Sequence, residues 1–271
     1  MRVDYLAIGH ITKDLTATGA VIGGTVAYSG RTAQRLGCHT AVLTSAQHDY
    51  DWHTALPNIQ VKHILAEHTS TFSNIYTENG RQQVIHAVAA PLTAADVPAD
   101  WQRAPIVHLA PLTNEVEPEM IHLFSNSLVG LTPQGWLRHW DENGRVTPQP
   151  WPAASHILPL AAAVIISEED LLDDDMLNQY RAWSHLLIMT QGASGCTIFM
   201  GDDARHVPAP AVPEVEPTGA GDIFATAFLI RLEQTNGNPW EAARFANQIA
   251  AQSVTQIGLD AKLDAIATLI P

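Results

Sequence analysis

Cysteine is nearly missing from this sequence: Cys38 and Cys196 are the only two in 271 residues. Two thiols build neither a disulfide framework nor a cysteine zinc site, and both sit in apolar surroundings suited to reduced core thiols. Positive charge is scarce as well. Fourteen Lys and Arg stand against 28 Asp and Glu, a formal charge of −14, which argues against nucleic acid as a partner because a phosphate backbone needs neutralising cations. Small anions are not excluded, since local backbone donors or a divalent metal hold them whatever the global field. No apolar run approaches the length of a membrane span, and the opening MRVDYLAIGH lacks the charged, then apolar, then small layout of a signal peptide. A cytoplasmic location without a membrane partner is expected. The 13 histidines are scattered and none belongs to an HExxH pair, so no histidine-based metal site is expected.

What is present is an alternation. DYLAIGH reads as a buried strand ending at a glycine, GTVAYSGRTAQRLG as a helix with Ala27, Ala33 and Leu36 among its apolar positions, and TAVLTSA as a second strand. IVHLA, SLVGL, AAVIIS and HLLIMTQG are further compact apolar runs between polar or helical stretches. Strands alternating with helices predict an α/β fold with a parallel sheet covered on both faces, and 46% hydrophobic composition is enough for one large domain or a domain with a small appendage. Ligands then bind beyond the carboxyl ends of the strands. Two segments break the rhythm. TFSNIYT and RQQVIHAV, joined at Glu78-Asn79-Gly80, predict an antiparallel hairpin, either a flap over a site or an ordinary edge hairpin. CTIFMGDDARHVPAP predicts another, turning at Gly201-Asp202-Asp203. The final third is helical, with a closing helix from Asp260.

The stretch EVEPTGAGDIFATAFLIRL opens that final third with a helix that is apolar on nearly every side and therefore buried. Its free N–H groups need partners without solvent, and Gly219 and Gly221 let another group approach them closely. An anion suits, and a ligand phosphate is the natural tenant. Asp222 beside it would repel that phosphate unless it serves to take a proton from the attacking group. The plainer alternative has Thr218 capping the helix, the glycines packing tightly and Asp222 stabilising the first turn. Other strand ends carry weaker signals. Asp14, in GHITKDL, either accepts hydrogen bonds from ligand hydroxyls or is a solvated loop residue. Gly23-Gly24 permits close backbone approach. Thr190, Gly192 and Gly195 lie in a loop able to bend around phosphates or simply needing glycine dihedrals. Glu168, Glu169 and Asp170 either help hold hydrated Mg²⁺ or suit a first helical turn.

Taken in order, Gly9-x-x-x-x-Asp14, the paired glycines at a helix start, the hairpin with its Asn-Gly turn, Thr190-x-Gly192-x-x-Gly195 and TGAGD followed by Phe224 resemble the ribokinase-like, or PfkB, family of carbohydrate kinases. The resemblance spans nearly the whole chain. It implies a three-layer αβα fold with a central, mostly parallel sheet, forming one kinase domain over 1–271 with a β lid at roughly 12–22 and 70–90. It implies ATP and Mg²⁺ as cofactors and transfer of the γ-phosphoryl group to a hydroxyl of a small sugar, polyol or inositol-like substrate. Asp222 would be the catalytic base, with the amides of Gly219, Ala220 and Gly221 as the anion hole. Thr190, Gly192, Gly195, Thr218 and Asn247 would lie along the nucleotide. Asp14, Gly23, Gly24 and Tyr28 would face the acceptor, and Glu169 and Asp170 the metal. Such lids often serve as homodimer interfaces. Departures from the family pattern are visible too. Glu216-Pro217-Thr218 stands where D-T-T is usual, Tyr28 where many sugar kinases have asparagine, and Ser167-Glu168-Glu169-Asp170 where N-x-x-E is usual. With LTPQGWLRHWDENGRV, these look more like the branch that includes inositol kinases than like ribokinase or fructokinase. In that stretch Gln134 and Arg138 either read the acceptor or belong to an amphipathic helix packing Trp136 and Leu137. Competing readings are a nucleoside kinase of the same fold and a non-catalytic nucleotide or metabolite sensor. A nicotinamide dehydrogenase is disfavoured because no G-x-G-x-x-G follows the first strand.

Overall fold

A computed structural model describes residues 2–17, 19–77 and 80–269; Glu78 and Asn79 of the expected hairpin turn lie outside the described residues. The chain runs through β1 (Tyr5–Ile8), β2 (Thr12–Thr16), β3 (Gly19–Gly23) and α1 (Thr25–Arg35), then β4 (Thr40–Ala46), a single turn α2 (Trp52–Ala55) and β5 (Gln60–Leu65). Next come β6 (Ser70–Thr77), β7 (Gly80–Ala87), β8 (Ile106–Leu109), β9 (Leu128–Leu131), and the ribbon β10 (Arg138–Trp140) and β11 (Val146–Pro148). The last part contains α3 (Ala154–Ile157), β12 (Ala163–Ser167), α4 (Asp174–Trp183), β13 (Leu187–Thr190), β14 (Gly195–Met200), β15 (Asp203–Pro208), α5 (Ala220–Gln234), α6 (Pro239–Ser253) and α7 (Leu259–Ala267).

Nine strands form one sheet in the order β15-β14-β13-β12-β9-β8-β1-β4-β5. The seven from β13 to β5 are mutually parallel, and β14 and β15 close one edge antiparallel. The alternation of side chains explains why these strands are apolar throughout. Tyr5 and Ala7 enter a core beneath α1, α5, α6 and α7, whereas Leu6 and Ile8 enter a second core against α3, α4 and the stacked Trp136 and Trp151. Two helical layers therefore sandwich the sheet, the three-layer α/β fold expected. The crossovers put the carboxyl ends of β1, β9, β12 and β13 on one rim.

A second sheet of four strands, β3-β2-β6-β7, stands beyond that rim. Its base is pinned by a polar hub. The buried Glu115 carboxylate accepts from the backbone N–H groups of His10 (2.8 Å), Leu112 (2.9 Å) and Thr113 (2.6 Å). His10 in turn reaches the small sheet through Nδ1, 2.7 Å from Ser70 Oγ on β6, and its Nε2 lies 2.8 Å from Ala90 O just beyond β7. Glu115→Gln would turn an amide N–H₂ toward donors. Leaving buried donors unpaired costs about 1–3 kcal/mol each, so a loss of about 3 kcal/mol is expected, read as a lower urea midpoint with unchanged slope. A loss under about 0.5 kcal/mol would show that the hub contributes no more than a surface contact.

Two expectations need correction. QGWLRHW is not an amphipathic helix: a 3₁₀ turn covers Pro133–Leu137 and Arg138 starts β10. Tertiary contacts outweigh the helical pattern, because Gly135 N–H donates to Pro111 O at 2.9 Å and Trp136 Nε1–H to Val116 O at 2.9 Å. A side chain at Gly135 would come within 2.4 Å of the Leu112 nitrogen. Asp14 is not in a loop either. It lies within β2, paired to β3 in the register Asp14↔Val21.

Candidate active site

The site is assembled from the starts of α1 and α5 and from the middle of β2. α1 begins after Gly24, whose φ of 90° and Cβ position 2.5 Å from His10 O admit only glycine. Gly23 before it leaves room for Asp14, since a Cβ there would lie 2.4 Å from Asp14 Oδ2. Asp14 is half-buried and its Oδ1 accepts from Thr12 Oγ1 at 2.8 Å. One turn into α1, Tyr28 is 6% exposed and its ring lies under Gly219, where an added Cβ would sit 2.2 Å from Tyr28 Cδ1. The paired glycines thus bring the Asp14 carboxylate and the Tyr28 ring to the start of α5.

That start is itself formed by Gly219 in the left-handed region, φ 78°. No side chain caps it, so Thr218 does not take the capping role considered above. Ala220 N–H is engaged with Pro217 O at 3.0 Å and Ile223 N–H with Gly219 O at 2.9 Å. Between them the Gly221 N–H has no intrahelical acceptor, as at any helix start, and Gly221 is exposed with open space around it. Of the three amides expected in an anion hole, the one on Ala220 is therefore spent within the loop. The rest of α5 is packed: Ile223 to Ile230 are all buried. Low exposure on every side makes this helix a fixed base for its first turn.

Electrostatics ties the pieces together. Burial first, then the Asp222, Glu216 and Asp14 carboxylates in that order, push the Tyr28 phenol well above its ordinary value. The phenol keeps its proton at neutral pH amid acids from β2, the loop before α5 and α5 itself. Asp222 is half-buried on the first turn of α5, and its carbonyl accepts from Thr226 Oγ1 at 2.8 Å. Below it a buried chain of donors continues. Tyr5 O–H donates to Thr226 Oγ1 at 3.2 Å, and Tyr5 Oη lies 2.8 Å from His108 Nδ1, whose Nε2 is 3.0 Å from Thr132 Oγ1. Burial pulls His108 down to about 3. It is neutral at physiological pH, so the chain carries no buried charge beneath α5.

The other expected residues divide. Thr190 ends β13 and donates to Ile166 O at 3.2 Å. Gly192, φ 53°, faces open space at the head of a 3₁₀ turn, whereas Gly195 is a packing glycine, its Cβ position 2.3 Å from Val207 O. Asn247 is buried, and its Nδ2 donates to Val207 O at 2.9 Å and Pro208 O at 3.4 Å, so its amide is used to tie α6 to β15. Arg138 is half-buried, and its carbonyl accepts from Asn114 Nδ2 and Gln149 Nε2. Gln134 Nε2 donates to Asp170 Oδ1 at 3.3 Å, while Asp170 Oδ2 accepts from Ser167 N–H at 3.0 Å. SEED is thus a capped 3₁₀ turn, with Ser167 and Asp170 forming a reciprocal capping box. A resident metal held by Glu169 and Asp170 does not fit these donors. Both Asp170 oxygens are engaged, Glu169 is exposed, and among the described residues no three His, Cys, Asp or Glu gather to hold an ion.

Sequence reasoning missed Lys262. It is fully buried on α7, between Leu259, Leu263 and Ile266 on the apolar stripe. A lysine at that spacing on an otherwise apolar face was the available signal.

The model for pfkB family carbohydrate kinases matches residues 147–266, the span that holds Thr190, Gly195, the α5 start and Asn247. Over most of its length the chain is similar to inositol 3-kinase of Oryza sativa subsp. japonica, 28% identical across 95% of this chain and 70% of that protein. Its fold is similar to that of a pyrophosphate-dependent kinase in the ribokinase family complexed with a pyrophosphate analog and myo-inositol. The TM-score is 0.80 at 20% identity, covering 96% of this chain and 99% of the other. Arabidopsis thaliana ribokinase complexed with ribose and ATP gives 0.75 at 16% identity, covering 100% and 99%. Among the described residues no helix is long and apolar enough to cross a membrane.

Proposed function

We propose that this chain, whose residues 147–266 match the model for pfkB family carbohydrate kinases, is a kinase of that family and transfers the γ-phosphoryl group of ATP to an alcohol of a small sugar, polyol or inositol-like acceptor through Asp222. It is a phosphotransferase with an alcohol acceptor. The observation that carries the reading is the start of α5. An exposed glycine amide and a half-buried carboxylate share one helical turn, above a fully packed helix. The amide and the positive helix end favour phosphoryl charge, and the adjacent carboxylate takes the proton of the attacking hydroxyl.

Asp14 supplies a second carboxylate for acceptor hydroxyls, and Tyr28, held neutral, forms an apolar floor between the two. Because Asp14 lies on β2, the small sheet bears on the acceptor and serves as the lid that keeps water from the phosphoryl group. Any Mg²⁺ would arrive held by nucleotide phosphates, since the donors among the described residues form no cage for it. The nucleotide would run toward Thr190 and Gly192 at the carboxyl end of β13.

The test is a release assay on purified protein with ATP or pyrophosphate as donor and a panel of inositols, sugars, polyols and nucleosides as acceptors. Release of ADP that depends on a sugar, polyol or inositol supports the reading. Turnover with pyrophosphate alone would retain the acceptor site and replace the donor, because helix-start amides bind a phosphoryl group whatever it hangs from. Nucleotide binding by calorimetry without turnover on any acceptor would instead make the chain a sensor.

A further inference from the structure

We propose that Lys262 is a built-in monovalent cation: its ammonium holds the loop that leads into α5 in its phosphoryl-binding shape, so that transfer requires no potassium or ammonium ion from solution. This rests on the reading of the α5 start as the phosphoryl site.

Lys262 is 0% exposed, and three oxygens surround its ammonium. Nζ donates to the Glu216 carbonyl and to Ser253 O at 3.4 Å, and lies 3.4 Å from Glu216 Oε2. Both carbonyls belong to negative ends of structure. Ser253 is the last residue of α6, where the helix dipole is negative, and its carbonyl also accepts from Gln256 N–H at 3.3 Å. Glu216 lies in the acidic entry to α5, two residues after Glu214. Burial lowers the Lys262 pKa, and Glu216 and Glu214 oppose that shift. Taking an ammonium fully out of water costs more than burying an apolar residue of the same length, so Leu or Met would suit the α7 stripe better on packing grounds alone.

The loop it holds is short and mechanically coupled to the cradle. Val215 and Glu216 N–H groups both donate to Val254 O, at 2.8 and 3.1 Å, and Glu216 Oε2 accepts from Gly258 N–H at 2.7 Å. The next residue, Pro217, takes the Ala220 N–H that begins α5. Displacing the Glu216 carbonyl therefore moves the Pro217 to Ala220 turn and, with it, Gly219 on the Tyr28 ring. Lys262 touches no reacting atom. It is a positioning residue, and without it the oxygens of Glu216 and Ser253 would line a hole suited to a small, weakly hydrated monovalent cation.

The experiment compares wild type and Lys262→Met in buffers that contain Mg²⁺ for the nucleotide and tetramethylammonium as the only added monovalent cation, then with potassium or ammonium chloride. Wild type is expected to run at full rate without either salt, changing by less than about twofold on addition. Lys262→Met is expected to lose about 100-fold in kcat with little change in acceptor KM, the scale of a displaced positioning group. It should then regain about tenfold or more with potassium or ammonium but not with more tetramethylammonium. Melting temperatures in the same salts separate this from plain destabilisation, which would give no salt-specific return of kcat. The inference is overturned by a wild type stimulated about tenfold or more by potassium, by a variant with full kcat, or by a loss that no small cation restores. Should the variant fail to fold, the wild-type salt series decides alone. A wild type without phosphotransfer in any salt would sink the kinase reading itself, whereas potassium stimulation would sink only the role of Lys262.

Discussion

Asp222→Asn is expected to lower kcat by about a thousandfold while the protein stays folded, with the acceptor KM changed only slightly. The size follows from what asparagine keeps and what it loses. It has the same shape, it leaves the Thr226 Oγ1 contact to the residue 222 carbonyl untouched, and its amide oxygen still accepts a hydrogen bond from an acceptor hydroxyl. It cannot take the proton. Loss of a negative charge at a helix start costs about 0.3–1 kcal/mol of stability, a far smaller effect than about 4 kcal/mol of transition-state stabilisation. Rate and stability thus come apart in a single variant. A fall in kcat of less than about tenfold in a protein with unchanged melting would mean that another group removes the proton, and the proposed site would lose its base.

The parts of this molecule that were readable beforehand are those with a local physical cause. Strands such as Tyr5–Ile8 are apolar on both faces because both faces are covered, and α5 is apolar all round because it is buried all round. Both show in a short window of sequence. What could not be read depends on long-range pairing. TKDLT has no alternating apolar pattern, and Asp14 is a strand residue through pairing with β3 and β6, with Gly23 on the neighbouring strand leaving space for its carboxylate. The Glu115 hub joins groups 105 positions apart, through backbone N–H groups that any residue type would supply. The acidic run at 168–170 looked like a metal site because capping and metal binding call for the same residue types. Only the hydrogen bonds of Asp170 to Ser167 and Gln134 separate the two uses. Asn247 is a parallel case, an amide whose partners on β15 decide what it does.

The two glycines of the α5 start are expected to answer differently to the same substitution, and the difference tests the site more sharply than either loss alone. At Gly219 an alanine meets two penalties. The φ of 78° costs an L-residue about 1–2 kcal/mol, and its Cβ would fall 2.2 Å from Cδ1 of a Tyr28 ring that is itself buried and has nowhere to swing. Gly219→Ala should therefore lose about 2–4 kcal/mol of stability and nearly all activity, as either the α5 start or the ring beside Asp14 is displaced. At Gly221 the backbone is ordinary helix and an added methyl meets nothing within 4 Å. There alanine should leave stability unchanged or raise it by up to about 1 kcal/mol, since it favours a helix over glycine. The open space is nonetheless where the phosphoryl oxygens would sit, so Gly221→Ala should lower kcat/KM for the donor by about a hundredfold in a protein that melts no earlier than wild type. A Gly221→Ala variant with full activity would mean that no anion approaches that amide, leaving Asp222 a helix-stabilising acid and the glycines a matter of packing.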